Sequence, residues 1–409
     1  MGEHLAVLCL GSGRQTRELA AAGAGIGFTV DCAHVREDER DWQPRDVEAV
    51  HADALQAIRE LSRPPDAVVN FGRATVPDGI RRIAEVMERL RDSGAVPAHT
   101  RLVGPPSRAA KVWGDKALIA RSMRELDLPI ASTVRVATDE TGNGAPGIAF
   151  PFVVKVVDLT GGSGMRYVED ATAFDEAVRH LAKLERPLIA CEFLAGDEVS
   201  VDLLRLGTET LVYPPGFKRA TDRMLTHADH KIKVNGAVRE VPAFTSDVLR
   251  IAEAFDLQGF FSLEAVVTSV DPLEWRILEG ATRVTNNIHM QDASLGIDSF
   301  AAVLRYVAGL EWRPADERLG LALSIPVYRH LGRRSVDALA PLDWVRQVKV
   351  DDLSEMPDSS DSRHRLTVKM AVEDLDRQLA VLAEATGDDA LAGRVRSEIA
   401  RVEDVYGGR

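Results

Sequence analysis

Two glutamates lie inside apolar, β-branched stretches in the second half of the chain, where the sequence favours strands. Glu264 lies within residues 260–267 and Glu279 within residues 276–283. A carboxylate in such a strand is costly to bury unless cations or hydrogen bonds compensate it. If the two strands are neighbours, the carboxylates can hold Mg²⁺, and Arg283 can bind phosphate oxygens. An ion pair at the edge of a sheet is the simpler alternative.

The composition restricts the partners of the protein. The 409 residues carry a net charge of −13, which argues against binding along nucleic acid or on an anionic membrane. No apolar run approaches the ~20 residues of a membrane-spanning helix, and the first residues lack the basic region of a signal peptide. The three cysteines have no metal-binding spacing. We therefore expect a cytoplasmic protein whose partners are small molecules, with no nucleic acid and no membrane.

The hydrophobic pattern divides the chain into four regions, residues 1–105, 106–206, 207–330 and 331–409. Strands alternate with helices in the first region and predict an open α/β sheet. Its Gly11-Ser12-Gly13 turn lacks the third glycine of the dinucleotide fingerprint. The second region predicts a small antiparallel sheet that includes residues 199–204. The third region is an α+β unit with both glutamates, and the fourth is a mixed and helical unit.

A lysine followed by a glycine-rich loop lies in the second region. Lys155 is flanked by apolar residues of a short strand, so its ammonium group needs an anionic partner if it is buried. The loop lets backbone N–H groups approach phosphate oxygens closely, and it contains Gly161, Gly162, Ser163 and Gly164. This order is typical of a nucleoside triphosphate site, and a plain glycine hairpin is the alternative.

A strand end and a tight turn follow at residues 191–198. In a purine site, backbone groups of residues 192–194 can read the adenine edge, and Glu198 can accept hydrogen bonds from ribose hydroxyls. Considered alone, Glu198 is typical of a solvated charge, and Lys116 is typical of a surface lysine on a helix.

Taken in order, these segments resemble the ATP-grasp superfamily over about residues 105–295. The matching sequences are Asp115-Lys116, residues 151–155, residues 160–165, residues 192–202 and the two glutamate segments. The resemblance implies a mixed α/β and α+β chain with the ATP-grasp fold. It also implies an N-terminal open α/β (pre-ATP-grasp) domain, a first lobe whose lid covers about residues 136–206, a second lobe with the metal site, and a C-terminal extension.

The resemblance implies a role for each motif residue. ATP would be bound by Lys116, Lys155, the loop Gly161 to Gly164, the adenine hinge Glu192, Phe193 and Leu194, and the ribose ligand Glu198. Mg²⁺ (or Mn²⁺) would be bound by Glu264 and Glu279. The catalytic residue Arg283 would steady the phosphates and the transferring group.

One position departs from the superfamily pattern. Many members have Glu-x-Asn at the second metal glutamate, where this chain has Glu279-Gly280-Ala281. The spacing is also similar to that of carboxyaminoimidazole ribonucleotide synthetases, which have alanine there and a later Asn/His cluster. That similarity implies that Asn286, Asn287 or His289 supplies the missing contact. We assign Asn286 to the metal, and Asn287 and His289 to the substrate.

Substrate selection is expected in a segment that the superfamily motifs do not fix. Residues 213–233 carry Lys218, Arg219 and His230 in an otherwise acidic chain. Their local positive charge can attract a carboxylate or phosphate substrate. A solvated loop with scattered charge is the alternative.

The resemblance implies a reaction. ATP-grasp enzymes use ATP to phosphorylate a carboxylate, and an amine then attacks the acyl phosphate. We therefore expect a biosynthetic, ADP-forming carboxylate–amine ligase that forms a C–N bond between small molecules. Two alternatives stay open: a bicarbonate-using carboxylase of the aminoimidazole ribonucleotide type, and a catalytically silent, ATP-binding regulator. A helical unit beyond the core is consistent with a homodimer.

Overall fold

The computed structural model describes residues 3–38, 43–73, 76, 78–136, 147–159, 164–219, 231–285, 287–313, 319–328, 333–352 and 364–407. Within these ranges the chain forms three sheets with helices packed around them. This arrangement confirms the predicted mixture of α/β and α+β structure.

The N-terminal part is the open parallel sheet that the alternation of strands and helices predicted. Four strands pair in the order β2-β1-β3-β4, all parallel. The elements are β1 His4–Gly11, α1 Gly13–Gly25, β2 Thr29–Val35, α2 Val47–Glu60, β3 Ala67–Phe71, α3 Gly79–Asp92 and β4 Arg101–Val103. The central strands β1 and β3 are buried almost throughout, as expected for a sheet covered on both faces.

A small antiparallel sheet follows two short helices. Its strands pair in the order β5-β8-β6-β7, and α6 covers the face that carries Phe152, Val154 and Ala190. The elements are α4 Ser107–Trp113, α5 Lys116–Glu125, β5 Thr133–Val136, β6 Phe152–Val156, β7 Met165–Val168, α6 Ala171–Leu181, a short 3₁₀ helix Ala182–Leu184 and β8 Leu188–Glu192.

The largest sheet is antiparallel and pairs its strands in the order β14-β13-β9-β11-β12-β15-β17-β16, with β10 beside β9. The strands and intervening helices of the first part of this unit are β9 Asp197–Leu206, β10 Glu209–Val212, β11 Gly216–Lys218, β12 Lys233–Asn235, α7 Pro242–Ala254, β13 Gly259–Val270, β14 Leu273–Ala281, α8 Ile288–Leu295 and α9 Ser299–Val307. The C-terminal elements are β15 Ala322–Tyr328, α10 Arg333–Leu339, β16 Val345–Asp352, β17 His364–Ala371, α11 Leu375–Thr386 and α12 Leu391–Tyr406.

The sheet membership of residues 199–204 differs from the expectation. They belong to β9, which pairs with β13 along nearly its whole length instead of joining the small sheet. Strand pairing is a nonlocal choice, and β13 offers a long apolar partner that the short strands of the small sheet do not. The same large sheet also takes in β16 and β17 of the C-terminal region. The division of the chain at residues 105, 206 and 330 stays a prediction.

Among the described residues, no helix is long and apolar enough to cross a membrane.

Gly196, between β8 and β9, is a position where only glycine fits. Its φ is +151°, and an added Cβ would lie 1.9 Å from the carbonyl oxygen of Val267. We predict that Gly196→Ala lowers the free energy of unfolding by about 2 kcal/mol or more, measured by urea denaturation, because backbone atoms cannot move aside.

The matched control is Gly393→Ala within α12, where an added Cβ meets no atom within 4 Å. There the substitution should leave stability unchanged or raise it by up to about 1 kcal/mol. Equal stabilities of the two variants would contradict the account of Gly196.

Candidate active site

Glu264 and Glu279 face each other across neighbouring strands. They are partners in the antiparallel register of β13 and β14, so their side chains project from the same face of the sheet. The register shifts immediately after Glu264. Both carboxylates line a cavity of about 460 Å³ between the large sheet, the small sheet and the N-terminal part. Like charges placed opposite each other repel, so this pair depends on cations nearby.

Lys116 is the first of these cations. Its Nζ lies 3.5 Å from Oε2 of Glu279 and donates hydrogen bonds to the carbonyls of Leu159 (2.7 Å) and Val157 (3.3 Å). The position follows from the break between α4 and α5 at residues 114–115. Asp115 caps the new helix α5 by accepting from two backbone N–H groups, and Lys116 is therefore its first residue.

Lys155 approaches the same carboxylates from the small sheet. Burial acts to lower the pKa of Lys155, but Cys191 and the surrounding carboxylates, Glu279 foremost among these, outweigh burial and raise the pKa. Burial acts to raise the pKa of Glu279, but the positive charges of Lys116 and Lys155 outweigh burial and the pKa falls. The side chain of Glu279 is 34% exposed to the cavity. The charged forms of both partners are therefore stabilised by each other.

Arg283 follows β14 and lines the cavity. Its Nη1 donates to the carbonyl of Val284 (3.1 Å). Its Nε is buried, and no acceptor for it lies among the described residues. Burial lowers the pKa of Arg283 despite the nearby Glu264 and Glu279. A buried guanidinium nitrogen without a partner favours an anionic ligand at this wall of the cavity.

Glu198 forms a tight cluster with two lysines. Its carboxylate accepts from Nζ of Lys218 at 2.5 Å and from Nζ of Lys231 at 2.8 Å. Burial acts to raise the pKa of Glu198, but Lys218 and Lys231 outweigh it and lower the pKa to about 2. All three residues line the cavity.

The segment of Glu192, Phe193 and Leu194 lines the cavity at the end of β8. The backbone N–H of Glu192 donates to the carbonyl of Ser132 (2.8 Å), and its carboxylate accepts from the backbone N–H of Ser132 (3.1 Å). The ring of Phe193 contacts that of Tyr167 edge to face, with centroids 5.0 Å apart. Glu192 is thus held by Ser132, which precedes β5, and by β6 of the small sheet, and the apolar side chains that follow continue the wall.

The structure brings most of the described candidate residues together. The cavity wall contains Lys116, Lys155, Glu192, Phe193, Leu194, Glu198, Lys218, Glu264, Glu279, Arg283 and Asn287. Gly164 accepts from the backbone N–H of Val156 (2.9 Å) at the entry to β7. Gly161, Gly162, Ser163, His230 and Asn286 lie outside the described residues.

Two candidates for the substrate lie elsewhere. Arg219 forms an ion pair with Glu398 of α12, with Nε 2.5 Å from Oε2, because side chains alternate along a strand and its neighbour Lys218 takes the cavity side. His289 lies against α1, with Nε2 3.2 Å from Nη2 of Arg14. Asn287, which precedes α8, lines the cavity, whereas His289 in the first turn of α8 contacts the N-terminal part.

The N-terminal part contributes residues to the cavity that sequence reasoning missed. Arg73, Asp78 and Arg81 line the cavity, and Nε of Arg73 lies 3.0 Å from Oε1 of Glu37. Arg73 lies two residues beyond the end of β3. The carboxyl ends of parallel strands are the usual position of ligands in open α/β sheets, and this is the signal that could have identified Arg73.

Within the described part of the chain, no group of three or more His, Cys, Asp or Glu side chains is placed to hold a metal ion. Among these residue types in the described ranges, Glu264 and Glu279 thus leave coordination positions that a bound molecule, solvent or another residue type would fill.

The architecture is shared with solved structures that cover nearly the whole chain. An L-amino acid ligase from Bacillus licheniformis is 16% identical with a TM-score of 0.67, over 94% of this chain and 98% of that one. The N5-carboxyaminoimidazole synthase of Aspergillus clavatus, in complex with ADP and 5-aminoimidazole ribonucleotide, is 15% identical with a TM-score of 0.65, over 96% of this chain and 100% of that one. The fold is the ATP-grasp fold, as the sequence motifs predicted.

Two curated proteins are similar in sequence to parts of the chain. The arginine-specific carbamoyl phosphate synthase large chain of Bacillus subtilis is 21% identical over 284 residues, 66% of this chain and 26% of that protein. A D-alanine–D-alanine ligase of Coprothermobacter proteolyticus is 28% identical over 199 residues, 45% of this chain and 65% of that protein. The chain thus spans about a quarter of the length of the first relative and just under two thirds of the length of the second. No family model matches the chain.

The ion pairs of Glu198 predict a measurable titration. Because Lys218 stabilises the charged form, replacing it in Lys218→Met should raise the pKa of Glu198 above about 2. A carboxyl group with a lower pKa in the folded than in the unfolded state contributes to stability at pH values above the unfolded-state pKa. This contribution to the free energy of unfolding is lost as the pH falls through the folded-state pKa. The titration is measured by ¹³C NMR of labelled glutamate, with Glu198→Gln used for assignment.

The control is Lys183→Met, which removes an exposed lysine from the short 3₁₀ helix. It should leave the Glu198 titration where it is in the parent protein. A Glu198 midpoint that is unchanged in Lys218→Met would contradict the ion-pair cluster.

Proposed function

We propose that the protein is an ATP-dependent, ADP-forming ligase that activates a carboxylate as an acyl phosphate and joins it to an amine of a small molecule. One observation carries the proposal. The carboxylates of Glu264 and Glu279 face each other on the adjacent strands β13 and β14. They line a cavity whose wall also contains Lys116, Lys155 and Arg283. This combination suits a magnesium-bound triphosphate better than a neutral ligand.

The residues present fit a Mg²⁺–nucleotide complex. Glu264 and Glu279 supply hard oxygen ligands, and phosphate oxygens would complete the coordination, as is usual for Mg²⁺. The buried Nε of Arg283 lacks an acceptor in the described residues, and a phosphate oxygen would provide one. When bound, the metal ion neutralises charge on the phosphates.

The remaining contacts to ATP follow the order of the motifs. We assign the adenine to the wall of Glu192, Phe193 and Leu194, the ribose to Glu198, and the phosphates to Lys116 and Lys155. Lys116 also binds the carbonyls of Val157 and Leu159, which lead into the glycine-rich loop. Phosphate binding at Lys116 is therefore coupled to the backbone position of Val157 and Leu159.

The chemical task of the chain is charge neutralisation and positioning. In the first step the γ-phosphoryl group passes from ATP to a substrate carboxylate, which gives an acyl phosphate and ADP. In the second step the amine attacks the acyl carbon, an amide bond forms, and inorganic phosphate leaves. Arg283 and the lysines stabilise the negative charge of the transferring group, and no protein nucleophile is required. Closure over the cavity would protect the acyl phosphate from water.

The relatives support a carboxylate and an amine as substrates. A D-alanine–D-alanine ligase and an L-amino acid ligase are among them by name. Among the described residues of the predicted substrate set, Lys218 and Asn287 lie on the cavity wall, and we assign them to the substrate. The homodimer and the cytoplasmic location stay predictions.

A bicarbonate-using carboxylase of the aminoimidazole ribonucleotide type is the second candidate. It is favoured by the likeness to N5-carboxyaminoimidazole synthase over 96% of the chain and by Ala281 after the second metal glutamate. The two reactions share the acyl phosphate chemistry and differ in the carboxylate and the nucleophile.

The deciding experiment measures ADP and phosphate release from MgATP. Release that depends on amino acids or small carboxylates supports the ligase. Release that requires bicarbonate together with aminoimidazole ribonucleotide supports the carboxylase. Tight ATP binding without ADP release in any mixture would overturn both and favour a catalytically silent regulator.

Glu279→Gln tests the metal site within the same assay. Replacing this carboxylate with an amide would weaken the Mg²⁺ site and should lower kcat for ADP release by about 100-fold or more, because the metal ion that would neutralise the phosphate charge is then poorly held. The circular dichroism spectrum should match that of the parent protein.

Glu274→Gln is the matched control, because Glu274 lies on the same strand β14 and is exposed. It should turn over like the parent. Parental turnover by Glu279→Gln would remove the basis for the assigned metal site.

A further inference from the structure

The C-terminal helix α12 carries a carboxylate on its buried face. The face that packs against the large sheet repeats at helical spacing and consists of Leu391, Val395, Glu398, Ile399, Val402 and Tyr406. Glu398 is only 2% exposed. A carboxylate in such a position is destabilising unless it is paired and hydrogen-bonded.

Two arginines compensate Glu398, and both lead to strands of the active site. Arg219 follows β11 and places Nε 2.5 Å from Oε2 of Glu398. Arg401 places Nη2 2.6 Å from Oε1 of Glu398 and also forms an ion pair with Asp197 at the start of β9. The buried carboxylate therefore joins α12 to the ends of two neighbouring strands.

Tyr406 makes the same two connections. Its hydroxyl donates to Oδ2 of Asp197 at 2.9 Å. Its ring stacks on that of Phe217 in β11, with centroids 4.3 Å apart and an angle of 19° between the planes. Tyr406 is 1% exposed, so the contact is part of the core and not a surface association.

The opposite face of these strands presents the candidate ribose ligand. In the register of β9 and β11, Lys218 pairs with Glu198, and Phe217 pairs with Val199. Side chains alternate along each strand. Glu198 and Lys218 thus line the cavity, while Asp197 and Phe217 are held from behind by α12.

We propose that Arg401 and Tyr406 are positioning residues for nucleotide binding. They fix Asp197 and Phe217, and through the backbone of β9 and β11 they set the position of Glu198, the proposed ribose ligand, and of its ion-pair partner Lys218. This assigns a function in the active site to the C-terminal helix. The inference rests on the proposed nucleotide site.

The test compares Arg401→Gln with Arg396→Gln on the same helix. Arg396 pairs with Asp376 of α11 at 2.8 Å, and both side chains are more than half exposed, so the control removes the same charge without touching β9. We expect Arg401→Gln to weaken MgATP binding by about tenfold in isothermal titration calorimetry, within the usual range of coupling between sites. Arg396→Gln should bind MgATP like the parent.

A second ligand separates positioning from stability. In the parent protein, Mg-2′-deoxyATP should bind more weakly than MgATP by about tenfold, the value of one hydrogen bond to a charged group. In Arg401→Gln that ratio should fall toward one, because Glu198 no longer meets the ribose. A lower unfolding temperature with an unchanged ratio would show a purely structural role and overturn the inference.

Tyr406→Phe is the second variant if Arg401→Gln does not fold. It keeps the stacking on Phe217 and removes only the hydrogen bond to Asp197, and it should lower the same ratio. An unchanged ratio in Tyr406→Phe overturns the inference even if the parent binds MgATP normally. Failure of the parent protein to bind MgATP or MgADP would instead overturn the proposed function itself.

Discussion

The structure of the site depends on cations that compensate the repulsion between two carboxylates, which face each other across one pair of antiparallel strands. Glu264 and Glu279 are partners in the register of β13 and β14, and their charges require compensation. The cations come from separate parts of the fold, with Lys116 on α5 and Lys155 on β6. Charge neutrality in the cavity therefore links the small sheet, the large sheet and α5 to one another.

The same logic explains the other side of the cavity. Glu198 is held between two lysines, and the strands that carry this cluster are held from behind by α12. A buried charge of fixed position is suited to recognising a ligand because its partners are in place before the ligand arrives. The C-terminal elements extend the large sheet through β15, β17 and β16, and our proposals give α12 a supporting role in nucleotide binding.

The sequence predicted the local features and failed on those that depend on distant contacts. The strands of Glu264 and Glu279, the lysine of β6 and the parallel N-terminal sheet were predictable, because apolar periodicity and motif order are local. The direction of the Arg219 side chain was not predictable, since it depends on which side chain of the three-residue strand β11 points to the cavity. The partners of His289 and Arg73 lie on other elements, and no spacing along the chain reveals them.

The most direct measurement is a crystal structure with Mn²⁺ and a nonhydrolysable ATP analogue, recorded at a wavelength where manganese scatters anomalously. The account predicts an anomalous peak between the carboxylates of Glu264 and Glu279, with the triphosphate beside Arg283 and the ribose at Glu198. A nucleotide bound elsewhere, or a cavity with nucleotide and no manganese between the two glutamates, would contradict it.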